Sequence, residues 1–267
     1  MNKKSRLVIA LVITLALILG ACGNAQAAGN ESSTAATPNE KHTIAYPEGY
    51  DTTSSGASSF DSCGDHFDSP YFAHPDVYNM ENSKTLTVIP KFETYQQTTE
   101  YSCGASAALM VLNHYGVKKY DEMTIAQMAC VSEETGISPE NMVGMFKQIG
   151  WNVESSVDDI DNPTFEEPTK FQSWVIKNLK EDKPILVDWI DWAGHWQVII
   201  GYDTMGTDDN FGDDVLILAD SYDTSDQYQD GYYIFPAERF YYMWEEGSCT
   251  GKAKPEPQPW VIATPAQ

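Results

Sequence analysis

Positive charge is what this chain has least of. Its 267 residues include 16 lysines and arginines against 39 acids, a formal net charge of −23. A protein that grips nucleic acid needs a basic face to displace counterions, so that class is excluded. The sequence also lacks a glycine-rich phosphate loop and any His/Cys pairing at zinc-site spacing. Cys63 and His66 in "SCGDHF" are too close together and too isolated to make one. No internal repeat is visible, and no transporter-like series of apolar spans follows the N-terminus. Histidine and cysteine number only five each, few enough for every one to be weighed.

The one long apolar run lies at the start. "MNKKSRLVIALVITLALILGAC" has a cationic opening (Lys3, Lys4, Arg6), an apolar stretch from Leu7 to Leu19 and small residues before a cysteine. That is the layout of a secretory signal, and the stretch is shorter than the ~20 residues a bilayer core requires. "LGAC" resembles a bacterial lipobox, which implies Cys22 as the lipid attachment residue and a chain tethered to the outer face of the cell membrane. The plainer alternative is an ordinary secreted protein cut near Ala25-Gln26-Ala27. Loss of Lys3, Lys4 and Arg6 with the signal takes the formal net charge from −23 to −26. So acidic a body suits a solvated enzyme held off anionic head groups by a tether.

Composition divides the remainder. Residues 23–59 are rich in Ser, Thr, Ala, Gly and Asn and read as a flexible spacer, because they have little apolar surface to offset ordering entropy. Residues 60–84 carry Phe60, Phe67, Tyr71, Phe72 and Tyr78 and read as an irregular aromatic arm. A single domain is expected over 85–246, and the four prolines of 247–267 suggest an extended tail. Inside the domain, helix formers fill 104–115, with further helices at "TIAQMACV", "SPENMVGMFKQIG" and "TKFQSWVIKNLKED". After Pro184 come the strands "ILVDWID", "HWQVIIGYD", "VLILADSYD" and "GYYIFP", and an earlier one lies in "TLTVIPKFE". Helices first and consecutive strands later indicate an α+β fold with an antiparallel sheet.

Chemistry centres on "EYSCGASAALMVLNHYG". Cys103 opens a long helix, where unpaired N–H groups and the positive dipole end favour a thiolate. Small residues after it (Gly104, Ala105, Ala107, Ala108) let other segments approach. Cys63 has no helix behind it, and the blander role for Cys103 itself is a buried core thiol. Of the histidines, His114 shares the helix but stands ~16 Å up its axis at 1.5 Å per residue. His42 lies in the spacer, and nothing orients His66 or His74. His195 opens the strand "HWQVIIGYD" after the turn "DWAG", so its ring can project from a sheet edge as general base. Asp220 ends an apolar strand where an acid is otherwise unwelcome, and is the candidate to orient that ring; Asp203 and Asp223 are rivals more simply explained as turn residues. Gln97 or Gln96, on the loop before Cys103, could donate to an oxyanion together with the Cys103 backbone N–H.

Taken together, "QTTEYSCGASAALMVLNHYG", "HWQVIIGYD" and "LILADSY" resemble the double-glycine leader peptidases, the bacteriocin-processing branch of the papain-like cysteine peptidases. The resemblance covers about 86–245 and implies a papain-like fold needing no cofactor. It implies Cys103 as nucleophile, His195 as base then acid, Asp220 as orienter and Gln97 rather than Gln96 as oxyanion donor. Those peptidases are usually fused to a transporter and face the cytoplasm, whereas an export signal begins this chain, so the double-glycine substrate is not carried over. The expected function is hydrolysis of a peptide or amide bond in a peptide or protein substrate. Acyl transfer through the same residues and a catalytically inactive peptide-binding module are the alternatives.

Three further expectations complete the reading. Trp189, Trp192 and Trp196 bracket His195 and read as core more than as cleft wall. The loop 203–214 departs from calcium-loop spacing and reads as an acidic surface turn. Cys63, Cys130 and Cys249 could supply one disulfide, with no pairing preferred.

Overall fold

The computed structural model describes residues 39–62, 65–159, 163–207, 210–244 and 256–266. These all belong to one compact unit. The signal and lipobox residues, Cys63 and Cys249 lie outside the described residues, so those expectations are not addressed by it. Among the described residues no helix is long and apolar enough to cross a membrane.

Helices come first. α1 spans Cys103–His114, α2 Glu122–Met128, α3 Pro139–Gln148 and α4 Pro168–Lys180; α5, Ala237–Met243, follows the main strands. Local chemistry sets their starts. Asp121 accepts the Thr124 N–H at the head of α2, and Ser138 accepts that of Asn141 at the head of α3, where Pro139 occupies the first turn. α1 is different: Ser102 precedes it without capping it.

The sheet contains β1 (Leu86–Val88), β2 (Asn152–Ser155), β3 (Ile185–Trp189), β4 (His195–Asp203), β5 (Val215–Asp220), β6 (Tyr232–Pro236) and β7 (Trp260–Thr264). Its spatial order is β2-β7-β3-β4-β5-β6, with β1 pairing the far end of β4, and every pairing is antiparallel. β3 and almost all of β4 are buried along their length, which explains their continuous apolar runs. The α+β class expected from the order of elements is the class observed.

Two boundaries need correction. The Pro-rich tail ends in β7, whose Trp260, Val261, Ile262 and Ala263 are buried between β2 and β3. Proline is compatible with a strand when it stands at the ends, and Pro259 and Pro265 do so. The expected spacer is also too long. His42 and Ile44 exchange backbone hydrogen bonds with Thr94, at 3.1 and 2.7 Å, and the Ser58 N–H donates to the Gln97 carbonyl at 3.1 Å. Ala57 is fully buried. A segment with few large side chains docks here through its backbone, which composition does not register. The catalytic-domain limits of 85 and 246 are therefore too narrow at both ends. The aromatic arm docks in part: Tyr78 stacks on His42 at 3.5 Å and Phe67 lies against Tyr228, while Tyr71 is exposed.

Candidate active site

β4 and β5 run antiparallel with Gln197 opposite Asp220, so the first residue of one strand and the last of the other share an end of the sheet. There His195 Nε2 and Asp220 Oδ1 lie 2.6 Å apart, and both side chains are buried. A second donor, the Tyr222 N–H at 2.8 Å, fixes the same Asp220 oxygen. With Nε2 taken, Nδ1 faces the other way, and the Cys103 thiol lines the same cleft as His195. Burial, the largest single influence, pushes the imidazole pKa down. The charge and hydrogen bond of Asp220, aided by Cys103, outweigh it and hold the ring well above its ordinary 6.5.

The head of α1 is held from behind. Glu122, fully buried, accepts hydrogen bonds from the Tyr95 hydroxyl (2.9 Å), the Thr98 N–H (2.9 Å), the Thr98 hydroxyl (2.7 Å) and the Ser102 hydroxyl (2.5 Å). Ser102 is thereby drawn inward instead of capping α1. The first N–H groups of that helix, which have no partner within it, are left to face charge developing at Cys103. Gly104 gives the close approach expected of it. A Cβ there would stand 3.0 Å from the Trp196 ring and 3.1 Å from Ile137, and Trp196 is pinned by its N–H to the Ile137 carbonyl at 2.8 Å.

The two glutamines separate. Gln96 turns its amide to the Asp220 carbonyl at 3.0 Å. Gln97 lines the cleft with Cys103 and His195; its Oε1 accepts from the Ser221 hydroxyl at 2.9 Å and its Nε2 donates to the Thr99 carbonyl at 2.7 Å. One N–H of the Gln97 amide thus remains for the cleft. The rival acids lie elsewhere. Asp203 ends β4 at the opposite end from His195 and accepts the Met205 N–H. Asp223 is fully buried, receives the Gly231 N–H, and is held well above the ordinary carboxyl range by burial and by Asp226, Asp220 and Asp230. It is no plain turn residue. Among the other histidines, His114 pairs with Asp182 (3.3 Å) and His74 with Asp226 (3.4 Å).

Trp189 and Trp196 are core, as expected, but Trp192 is not. It is 60% exposed, has φ of +51°, and packs its ring 5.3 Å from Tyr222 over the cleft. Ala193 also has positive φ, at +68°, so the turn before His195 stores backbone strain of about 1–3 kcal/mol per residue. The acidic loop is less superficial than expected: Asp214 is buried, accepting from the Tyr202 hydroxyl at 2.5 Å and from Gln172 at 2.7 Å. Among the described residues no group of three or more His, Cys, Asp or Glu is arranged to hold a metal ion.

Glu122 and the Gly56–Ser58 backbone escaped the sequence reading, and Trp192 was read as core where it is cleft wall. Glu122 gave no signal beyond its place in a helix's first turn.

The model of the Peptidase_C39 like family matches residues 89–252. The chain belongs to that family. It is a cysteine peptidase-like domain of α+β, papain-like fold. Two solved structures are similar at low identity. The peptidase domain of Streptococcus ComA, a bifunctional ABC transporter involved in quorum sensing, is 18% identical with a TM-score of 0.43, covering 66% of this chain and 99% of that one. A double glycine motif protease from an AMS/PCAT transporter, solved with its leader peptide, is 16% identical with a TM-score of 0.38, covering 65% and 91%. No curated protein gives a significant match.

Proposed function

We propose that the protein is a cysteine peptidase or amidase, exported and tethered to the outer face of the cell membrane through lipid on Cys22, with Cys103, His195 and Asp220 as its triad. The observation that carries the reading is the buried His195, 2.6 Å from Asp220 and lining one cleft with Cys103. His195 takes the thiol proton as the sulfur attacks the carbonyl carbon of a peptide bond. The oxyanion is met by the Cys103 backbone N–H and the Gln97 amide. His195 gives its proton to the leaving amine, whose departure leaves a thioester. Water then attacks the thioester as His195 takes its proton; the carboxylic acid leaves and the thiol is restored. Asp220 keeps Nδ1 aimed at the sulfur and stabilises the imidazolium. No cofactor enters these steps.

Labelling with a thiol-directed peptidyl electrophile tests the proposal. Cys103→Ala should abolish labelling and cleavage, while Cys63→Ala should leave both intact. Equal labelling of the two variants would defeat the assignment. Tethering is tested separately: Cys22→Ala should release the protein from the membrane fraction, and continued membrane retention of that variant would count against the anchor.

A further inference from the structure

We infer that the cleft selects peptides carrying lysine or arginine beside the scissile bond; this rests on the hydrolase reading above. Two adjoining cavities, of about 260 and 130 Å³, meet at Cys103. Their walls carry Glu100, Glu133 and Glu134, and among the described residues neither cavity is lined by a lysine or arginine. Of these, the Glu100 carboxylate is held in place, and the backbone that carries the other two is fixed by a turn. Glu100 accepts the Gly56 N–H on one oxygen and the Tyr222 hydroxyl on the other, each at 2.9 Å, and both partners are neutral. Glu133 and Glu134 are exposed on a tight turn closed by the Ser132–Gly136 bridge, where the Ser132 hydroxyl accepts the Glu134 and Thr135 N–H groups.

An aromatic face independently suits the same ligand. Trp192 lines both cavities, is largely exposed, and is set there by a strained backbone. An exposed indole beside carboxylates is an arrangement that receives ammonium or guanidinium, through charge on one side and the ring quadrupole on the other. The apolar stem of such a side chain would lie along the ring. An acidic residue beside Glu100, Glu133 and Glu134 would meet like charge from three carboxylates, with the His195 imidazole already paired to Asp220.

The test reads the cleft's charge apart from its catalysis. Cys103 of the full chain is modified by a cationic (ethyltrimethylammonium) and an anionic (ethylsulfonate) methanethiosulfonate. Rates are followed at Cys103 by peptide mass mapping and normalised to those on a small free thiol. The cationic reagent should be favoured on the order of tenfold at low salt. That ratio should contract in 1 M salt and fall by roughly threefold or more in Glu133→Gln/Glu134→Gln. A ratio near one, or one unmoved by removing those two charges, overturns the inference. Matched peptides with lysine or glutamate flanking the same bond form the second arm. Equal cleavage of both overturns it as well. If no peptide is cleaved while the reagent ratio behaves as expected, the cation preference stands and the hydrolase reading falls.

Discussion

Glu122 offers the sharpest quantitative test of how the nucleophile's helix is held. Its replacement by alanine removes the acceptor for the Tyr95, Thr98 and Ser102 hydroxyls and the Thr98 N–H, all within 3.0 Å. A buried donor left without a partner costs about 1–3 kcal/mol. Water entering the vacated space can serve some of the four. About 1 kcal/mol for each gives a loss of about 4 kcal/mol, a large share of the 5–15 kcal/mol by which a typical domain is stable. For a chain of this size, 1 kcal/mol corresponds to about 2–4 °C in Tm, so Glu122→Ala should melt about 8–16 °C lower. Glu122→Gln should behave differently. With its carbonyl at the Oε1 position it keeps the Thr98 N–H and Ser102, and the Tyr95 and Thr98 hydroxyls can rotate to accept from the new NH2. Its expected loss is about 1–2 kcal/mol, from hydrogen bonds no longer charge-assisted. Urea unfolding of the three proteins, with Cys103 labelling in parallel, supplies the comparison. Equal losses for the two variants, or a loss under about 1 kcal/mol for alanine, would refute the reasoning.

Further predictions concern the docked Gly56–Ser58 segment and a buried acid. Gly56 has φ of +66°, and a Cβ there would stand 2.4 Å from the Gln97 carbonyl oxygen and 2.6 Å from the Thr98 and Thr99 backbone. Gly56→Ala should cost about 2–4 kcal/mol in urea unfolding and slow Cys103 labelling, because the loop carrying Gln97 must give way. An unchanged rate would detach the Gly56–Ser58 segment from the site. Asp230 is pushed up to about 7, chiefly by burial with Asp226 and Asp65 adding to it, against the Tyr232 N–H and Lys41. An acid whose folded pKa is raised loses stability as pH climbs from the ordinary value of 3.8 through 7. Asp230→Asn should therefore be neutral near pH 4 and stabilising near pH 8, by at most about 4 kcal/mol at 1.36 kcal/mol per unit. A gain independent of pH would contradict this.

The elements most legible in the sequence were those whose signal is local. The apolar stretch after Cys103, the cap at Ser138 and Pro139, and the uninterrupted strands after Pro184 each declare themselves within a dozen residues. Pairing adjacent strands was enough to suggest that His195 and Asp220 meet. What was missed depends on partners far along the chain. Glu122 reads as an ordinary first-turn acid until Tyr95, Thr98 and Ser102 close around it. Gly56 to Ser58 look like spacer because their contacts run through backbone atoms, which carry no side-chain code. β7 was hidden by its flanking prolines, although those prolines only bound a buried apolar run. Trp192 resembles its neighbours Trp189 and Trp196, and only a turn with positive φ expels it to the cleft.

The account turns on the proton that His195 holds. Its imidazole can be followed by NMR in the full chain with labelled histidine, in the wild type and in Asp220→Asn. The account predicts that the wild-type ring stays protonated well above pH 6.5, because Asp220 and Cys103 outweigh burial, and that its midpoint falls in the variant. A wild-type midpoint at or below 6.5, or one unmoved by the loss of the Asp220 charge, would contradict it.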